Sequence, residues 1–123
     1  MITMRTPYES PPLRSNDRLH WAQKAKIVKQ IRTDARVMAT NGIWHGKVWT
    51  GTPPVTATLI WEVTDKRRRD VGAASPTLKA WIDGMVDGGL LPFDHADIVA
   101  EERLRIEVGT RKGVRVEIRP VTE

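Results

Sequence analysis

The chain of 123 residues contains no cysteine, which excludes disulfide bonds and thiolate metal sites. It has no apolar run of membrane-spanning length, and the N-terminal stretch "MITMRTPYESPP" lacks the apolar core of a secretion signal. Internal repeats and low-complexity segments are also missing. These absences predict an intracellular, cytoplasmic and soluble protein that does not act in a membrane.

The composition is that of a globular protein, with 40% hydrophobic and 28% charged residues. The length suits a single domain covering residues 1–123. Twenty Lys and Arg against fifteen Asp and Glu give a net charge of +5. A basic balance is frequent in nucleic-acid binders, but ribosomal, membrane-surface and ordinary soluble proteins share it, so the charge alone is a weak signal.

The first half of the sequence predicts a short edge strand at residues 1–6 and a long helix from Arg18 to Asn41. Asn16 or Asp17 is the expected N-cap of that helix. Its apolar stripe repeats at three- and four-residue spacing and consists of Trp21, Ala25, Val28, Ile31, Ala35 and Met38.

The second half predicts a strand at residues 55–64, where apolar residues alternate in "VTATLIWEVT". Ser75 and Pro76 are typical of a helix start, with serine as N-cap, and the glycine pair at 88–89 ends that helix. The stretch "RLRIEVGTRKGVRVEIRPV" predicts a β-hairpin.

The predicted order of elements is β-α-β-α-β-β. It indicates an α/β (α+β) two-layer sandwich with a mixed sheet of about four strands and two helices packed on one face. Residues 90–102 are expected to form a loop with one turn.

The run "DKRRRD" follows the strand at 55–64 and places Asp70 just beyond a carboxyl end, a common position for active sites in open α/β sheets. Four consecutive cations stabilise the carboxylate and offer contacts to phosphates. The simpler interpretation of such a charge run is a solvated turn.

Acidic residues recur in and after the second helix. Lys79, Asp83 and Asp87 are spaced i, i+4, i+8 on one helix face, which suits either an exposed ion pair or a lysine that neutralises a phosphate. Asp94 and His95 follow in a loop. Carboxylates from different elements suffice for Mg²⁺, whereas a histidine suits Mn²⁺ or a general base.

Four segments, in this order, resemble the RusA family of Holliday junction resolvases, which phages and prophages often carry. "SNDRLHW" at 15–21 resembles the family's N-terminal Asn/Arg segment, and "RRRD" at 67–70 resembles its first catalytic aspartate run. "LKAWIDGMVDGGLL" at 78–91 resembles the helix with the lysine, and "DH" at 94–95 falls where the family has an aspartate pair.

The resemblance implies a homodimeric endonuclease (a hydrolase of DNA recombination and repair) that resolves four-way junctions by paired nicking. It implies Mg²⁺ or Mn²⁺ and no organic cofactor. Asp70 would be the first metal ligand and Asp94 a late one, with His95 at or beside the last acidic position. Either His95 or Asp83 would complete the site. Lys79 would be the essential catalytic lysine.

The motif around Asp70 departs from the family at two positions, because Gly72 and Ala73 stand where an aspartate and an asparagine are expected. Phe93 and His95 also stand where the family often has further acids. Three explanations are open. Asp83, Asp97 or the partner subunit supplies a ligand; His95 replaces one; or the protein binds junctions and cuts them poorly. A small basic interaction protein that does not bind DNA is the remaining alternative.

Basic residues along the chain are the expected contacts to phosphates. The first helix carries Lys24, Lys26, Lys29, Arg32 and Arg36. The tryptophans at 21, 61 and 81 are predicted to be in the core, and those at 44 and 49 to contact the core or a partner subunit. The predicted DNA-binding residues are Asn16, Arg18, Lys24, Lys66, Arg67, Arg68, Arg69, Arg111 and Lys112.

Overall fold

The computed structural model describes residues 1–46, 54–92 and 97–121. Within these ranges the chain forms five strands and two α-helices, together with a 3₁₀ turn at Val71–Ala74 that runs directly into the second helix. The elements are β1 (Ile2–Arg5), α1 (Trp21–Thr40), β2 (His45–Gly46), β3 (Val55–Val63), α2 (Ser75–Asp87), β4 (Val99–Val108) and β5 (Gly113–Pro120).

The predicted α+β fold is confirmed, and β2 is an additional two-residue strand beside β1. The strands lie in the order β2-β1-β5-β3-β4. Only β3 and β4 are parallel, while β1 pairs with β2 and β5, and β5 with β3, in antiparallel fashion. The sheet is therefore mixed, as predicted.

The predicted hairpin of the last two strands is wrong, because β3 lies between β4 and β5 and pairs with both. Most residues of β3 are buried, whichever face of the sheet they occupy. A strand that is apolar on both faces is best placed in the interior of a sheet. Alternation in the outer strands predicted which faces are buried, but it does not specify neighbours.

Strand β4 begins at Val99, within the stretch predicted to be a loop. Its first half carries Glu101 and Glu102 and shows no apolar alternation. The parallel ladder with β3, which starts at the pair Val55 and Val99, holds this part extended. Backbone pairing with a buried neighbour thus outweighs the weak local pattern.

Helix α1 begins three residues later than predicted. His20 is the N-cap, and its Nδ1 accepts a hydrogen bond from the amide of Ala22 at 3.2 Å. The predicted cap Asp17 instead accepts from the amide of Arg14 at 3.0 Å, within the preceding loop. The carboxylate of Asp17 therefore bonds within its own turn, and it does not cap the helix as the sequence pattern predicted.

The start of α2 also differs in detail. The helix begins at Ser75, but Ala74 occupies the cap position and makes no side-chain cap bond. The preceding 3₁₀ turn already directs the chain into the helix, so a serine cap is not needed. Asp70 caps that turn instead, since its Oδ1 accepts from the amide of Gly72 at 3.0 Å.

The core lies between the sheet and the helices, and Trp61 and Trp81 belong to it as predicted. The helices approach closely at Gly84 of α2 and at Gly88, its C-cap. A Cβ atom at Gly84 would lie 2.4 Å from the carbonyl oxygen of Arg32, and one at Gly88 would lie 2.8 Å from that of Arg36. Trp44 packs against the core from partial burial, and Trp49 lies outside the described residues.

The prediction that Trp21 is buried is wrong, because it is 76% exposed. Ala25 is exposed as well, whereas Ile31 and Ala35 of the same stripe are fully buried. Gly84 and Gly88 approach α1 closely between Arg32 and Ala39. Further toward the N-terminus, Val28 packs against the core from partial burial, and only the first turns of the stripe lie in water.

The sheet face opposite the helices carries charged residues around Arg115. Its guanidinium lies 2.6 Å from a carboxylate oxygen of Glu62 and 2.6 Å from one of Glu107. Burial raises the pKa of Glu62, but bonding to Arg115 and Arg5 offsets this, so that the pKa lies below its ordinary value. The same carboxylates raise the pKa of Arg115 despite its burial.

Length and apolarity decide whether a helix can cross a membrane. Helix α1 has 20 residues but a charged surface, and α2 has only 13. Among the described residues, no helix combines the length and the apolarity that crossing a membrane requires.

Candidate nucleic-acid interface

A basic cleft of about 310 Å³ lies where β3 ends and the chain turns toward α2. Its lining includes five cations and two carboxylates, those of Glu9 and Glu62. The cations come from three separate loops, so folding concentrates charge that is dispersed in the sequence. They are Arg14, Arg67, Arg68, Arg69 and Lys112.

Trp61 also lines the cleft, although it is only 6% exposed. The guanidinium carbons of Arg14 and Arg69 lie 5.0 and 5.6 Å from its ring centroid, within cation–π range. The indole therefore holds two arginines over the same surface. Sequence analysis missed Arg14, whose loop position carries no local signal of this contact.

Asp65 organises the basic run. Its carboxylate accepts from the amide of Arg67 at 2.9 Å and pairs with Arg69 at 2.9 Å. The backbone bond of Arg67, followed by the charge and hydrogen bond of Arg69, keeps the pKa of Asp65 below its ordinary value. Arg69 is thus held in place, while Arg67 and Arg68 extend into solvent.

The other predicted DNA-binding residues are distributed more widely. Arg111 is exposed beside Lys112 in the turn between β4 and β5. Lys24 lies in a separate groove along α1. Asn16, Arg18 and Lys66 are exposed, but they do not belong to the cleft lining.

Asp70 lies at the end of the basic run and is exposed. Its carboxylate Oδ1 caps the 3₁₀ turn through the amide of Gly72. A Cβ atom at position 72 would lie 3.3 Å from this oxygen. A longer side chain at Gly72 would therefore project beside Asp70, whereas Ala73 is buried and its carbonyl accepts from the amide of Ser15.

Lys79 and Asp83 of α2 line a small cavity of about 60 Å³ together with Glu102 of β4. Sequence analysis missed Glu102. In the structure Glu102 lies on the same side of β4 as Leu104. The first half of β4 shows no apolar alternation, so no local pattern indicated this position.

Asp87 does not share this cavity. It forms a bidentate ion pair with Arg32 of α1, with N–O distances of 3.0 to 3.1 Å. Eight residues along a helix rotate a side chain by about 80°, which directs Asp87 toward α1 rather than β4. The predicted common face therefore splits between Lys79 and Asp83 on one side and Asp87 on the other.

The structure describes some of the expected metal ligands but not all of them. Asp94 and His95 lie outside the described residues, so their convergence with Asp70 stays a prediction. Within the described ranges, no group of three or more histidines and carboxylates is arranged to hold an ion. Asp83 and Glu102 line one small cavity together with Lys79, so two carboxylates and one cation share this surface.

Comparison with known proteins adds little about function. No protein-family model matches the chain. A protein of Xylella fastidiosa (strain Temecula1), described as an uncharacterized protein, is 41% identical over 46 residues. The match spans 37% of this chain and 30% of that protein's length, so the chain covers about a third of this relative.

Proposed function

We propose that this protein is a RusA-like endodeoxyribonuclease that nicks branched DNA with the help of Mg²⁺ or Mn²⁺. The observation that carries the proposal is the basic cleft, which leads to the exposed carboxylate of Asp70. The 3₁₀ turn and α2 continue from Asp70 to Lys79 and Asp83, so cations, carboxylates and lysine follow one another along one segment.

The chain's own groups have separate tasks in this proposal. Arg67, Arg68 and Lys112 bind backbone phosphates, each adding salt-dependent affinity. Lys79 neutralises charge on the phosphate that is cut. Asp83 and Glu102 would hold the ion together with Asp94, and the bound ion would supply an activated water. Asp70, which forms no three-carboxylate group with Asp83 and Glu102, is the proposed acid at the end of the basic cleft.

We propose a homodimer for the active form. Paired nicks in a four-way junction are related by a two-fold axis, and a two-fold dimer supplies two sites with that relation. Light scattering at micromolar concentration tests this part. A monomer that nicks only one strand would contradict the paired mechanism and leave single-site cleavage standing.

Cleavage is tested with a labelled four-way junction, a linear duplex of the same sequence, and Mg²⁺ or Mn²⁺. We expect nicks in the junction only, and a loss of roughly 10²-fold in rate for Lys79→Ala. Glu102→Gln tests the carboxylate that sequence analysis missed. Arg103→Gln is its control, since Arg103 follows Glu102 on β4 and its exposed side chain pairs with Glu101.

Binding is measured separately, in chelator, from the salt dependence of affinity. Arg68→Gln should weaken junction and duplex binding alike and reduce the salt slope by about one. Wild-type protein that cuts neither substrate with either metal would refute the nuclease. Affinity that does not depend on salt would refute the phosphate-binding cleft.

A junction-binding protein that cuts poorly is the second candidate. The observation that favours it is Gly72, since no side chain projects from this position beside Asp70. Gly72→Asp would add a carboxylate there, and Gly72→Asn is the uncharged control. If Gly72→Asp gains metal-dependent cleavage that Gly72→Asn lacks, the wild-type site is a weakened nuclease.

A further inference from the structure

A second surface, on α1, lies apart from the basic cleft. It is a groove of about 540 Å³, a volume within the range of ligand sites, and most of its lining follows one face of the helix. Trp21 stands at the N-terminal end, and Ala25 and Val28 form an apolar floor. A tryptophan that is 76% exposed on such a floor leaves a large apolar area in water.

Cations border this floor. Lys24, Lys29 and Arg36 line the groove, and Arg32 does so while paired with Asp87. The one acid of α1, Asp34, is held elsewhere, because it accepts from the hydroxyl of Tyr8 at 2.6 Å and from the amide of Gln30 at 2.8 Å. Asp87 also lines the groove and neutralises Arg32. The groove is therefore apolar at its base and has a net positive rim formed by Lys24, Lys29 and Arg36.

The charge of the groove distinguishes two possible occupants, a second copy of this chain and a polyanion. A second copy of the same face would bring the cations of two α1 helices together, which is unfavourable. A polyanion would be attracted. Phosphates alone, however, do not use an exposed indole, whereas a nucleobase that is free of its stack offers a flat face to it.

We propose that this α1 groove binds a single-stranded segment of DNA, with one unstacked base on Trp21 and the flanking phosphates on Lys24 and Lys29. The proposal rests on the nucleic-acid binding of the proposed function, but it does not depend on cleavage. Stacking is tolerant of sequence, because every base has a π face. The groove thus recognises unpaired DNA rather than a particular sequence.

The test is anisotropy of a labelled oligo(dT) in chelator, with a blunt duplex of equal charge as the second probe. Trp21→Ala should lower oligo(dT) affinity by roughly 5- to 150-fold and leave duplex affinity within about twofold. Trp21→Phe should retain most of the affinity. Lys29→Gln should weaken both probes and reduce the salt slope by about one.

Val37→Ala is the matched control, because Val37 is exposed on α1 outside the groove. An unchanged thermal midpoint shows that each variant is folded. Equal oligo(dT) affinity in Trp21→Ala and wild type would overturn the proposal. So would conversion of a dimer to monomers by Trp21→Ala with unchanged DNA affinity, which would make the groove a self-interface.

The two proposals fail in different ways. If wild-type protein cuts no junction but its oligo(dT) affinity depends on Trp21, the nuclease is wrong and the groove is right. If it cuts junctions and Trp21→Ala leaves oligo(dT) affinity unchanged, the groove is wrong and the nuclease stands.

Discussion

One apolar stripe runs along both halves of α1, but its C-terminal residues are buried and its first residues are exposed to solvent. Ile31, Ala35 and Ala39 are buried, whereas Trp21 and Ala25 are exposed. The difference comes from the neighbours: Gly84 and Gly88 approach α1 closely between Arg32 and Ala39, whereas Trp21 and Ala25 border an open groove. Periodicity predicts which residues can be buried together, and the elements that pack against the helix decide which of them are.

The largest effect is expected in the packed half. Ile31→Ala should lower the free energy of unfolding by about 3 kcal/mol, because Ile31 is only 1% exposed and its loss leaves a cavity. Urea denaturation measures this. Val37→Ala, in the same half but on the exposed side, is the control and should cost less than about 0.5 kcal/mol. A similar loss in the free energy of unfolding for both variants would contradict the difference in burial between Ile31 and Val37.

The close helix contact gives the next effect. Gly84→Ala should destabilise the protein by about 2 kcal/mol, because the added methyl group would lie 2.4 Å from a backbone oxygen of α1. This clash outweighs the roughly 1 kcal/mol that alanine gains in helix propensity. Gly109→Ala is the control, since an added Cβ there meets no atom within 4 Å. A stabilised Gly84→Ala would mean that the helices are further apart than described.

Replacing a partly buried polar residue of β3 should change the free energy of unfolding by an amount between those expected in the buried and exposed halves of α1. Glu62→Gln should cost about 1 kcal/mol at pH 7, because it weakens the interaction with Arg115. The pKa of Glu62 is lowered from 4.5, so its stabilisation is complete above that value and disappears as pH falls through the lowered pKa. Denaturation at pH 7 and pH 3 should show a difference between wild type and variant that shrinks in acid. A constant difference would contradict the ion pair.

The smallest effect belongs to the exposed half. Trp21→Ala should change the free energy of unfolding by less than about 0.5 kcal/mol, since its side chain is mostly in water. Thermal or urea denaturation tests this with the same protein used for DNA binding. A loss of 2 kcal/mol or more would show that Trp21 is packed in solution, and the contrast within α1 would disappear.

Local patterns predicted most of the elements, and their failures share a cause. Asp17 matched a helix cap but bonds within its own turn, and the last two strands matched a hairpin but pair with β3 instead. In each case several partners satisfy the same local chemistry. The choice between them depends on contacts that are distant in sequence.

The candidate site shows the same division. The run Arg67 to Arg69 and Asp70 are adjacent in sequence, so their proximity was predictable. Arg14 reaches the basic cleft through Trp61, and Glu102 reaches Lys79 through the parallel pairing of β4. Sequence spacing does not predict contacts that are made through the Trp61 indole or through the pairing of two strands.

The sequence by itself determined the kinds of element, the faces that carry apolar residues, and the charge available for binding an anion. These follow from propensity and periodicity, which act over a few residues. Only the tertiary structure decided that β3 separates β4 from β5, that Glu102 joins Lys79 and Asp83, and that Trp21 stays in water. These outcomes depend on which surfaces meet, because burial and pairing are properties of two elements together rather than of either one.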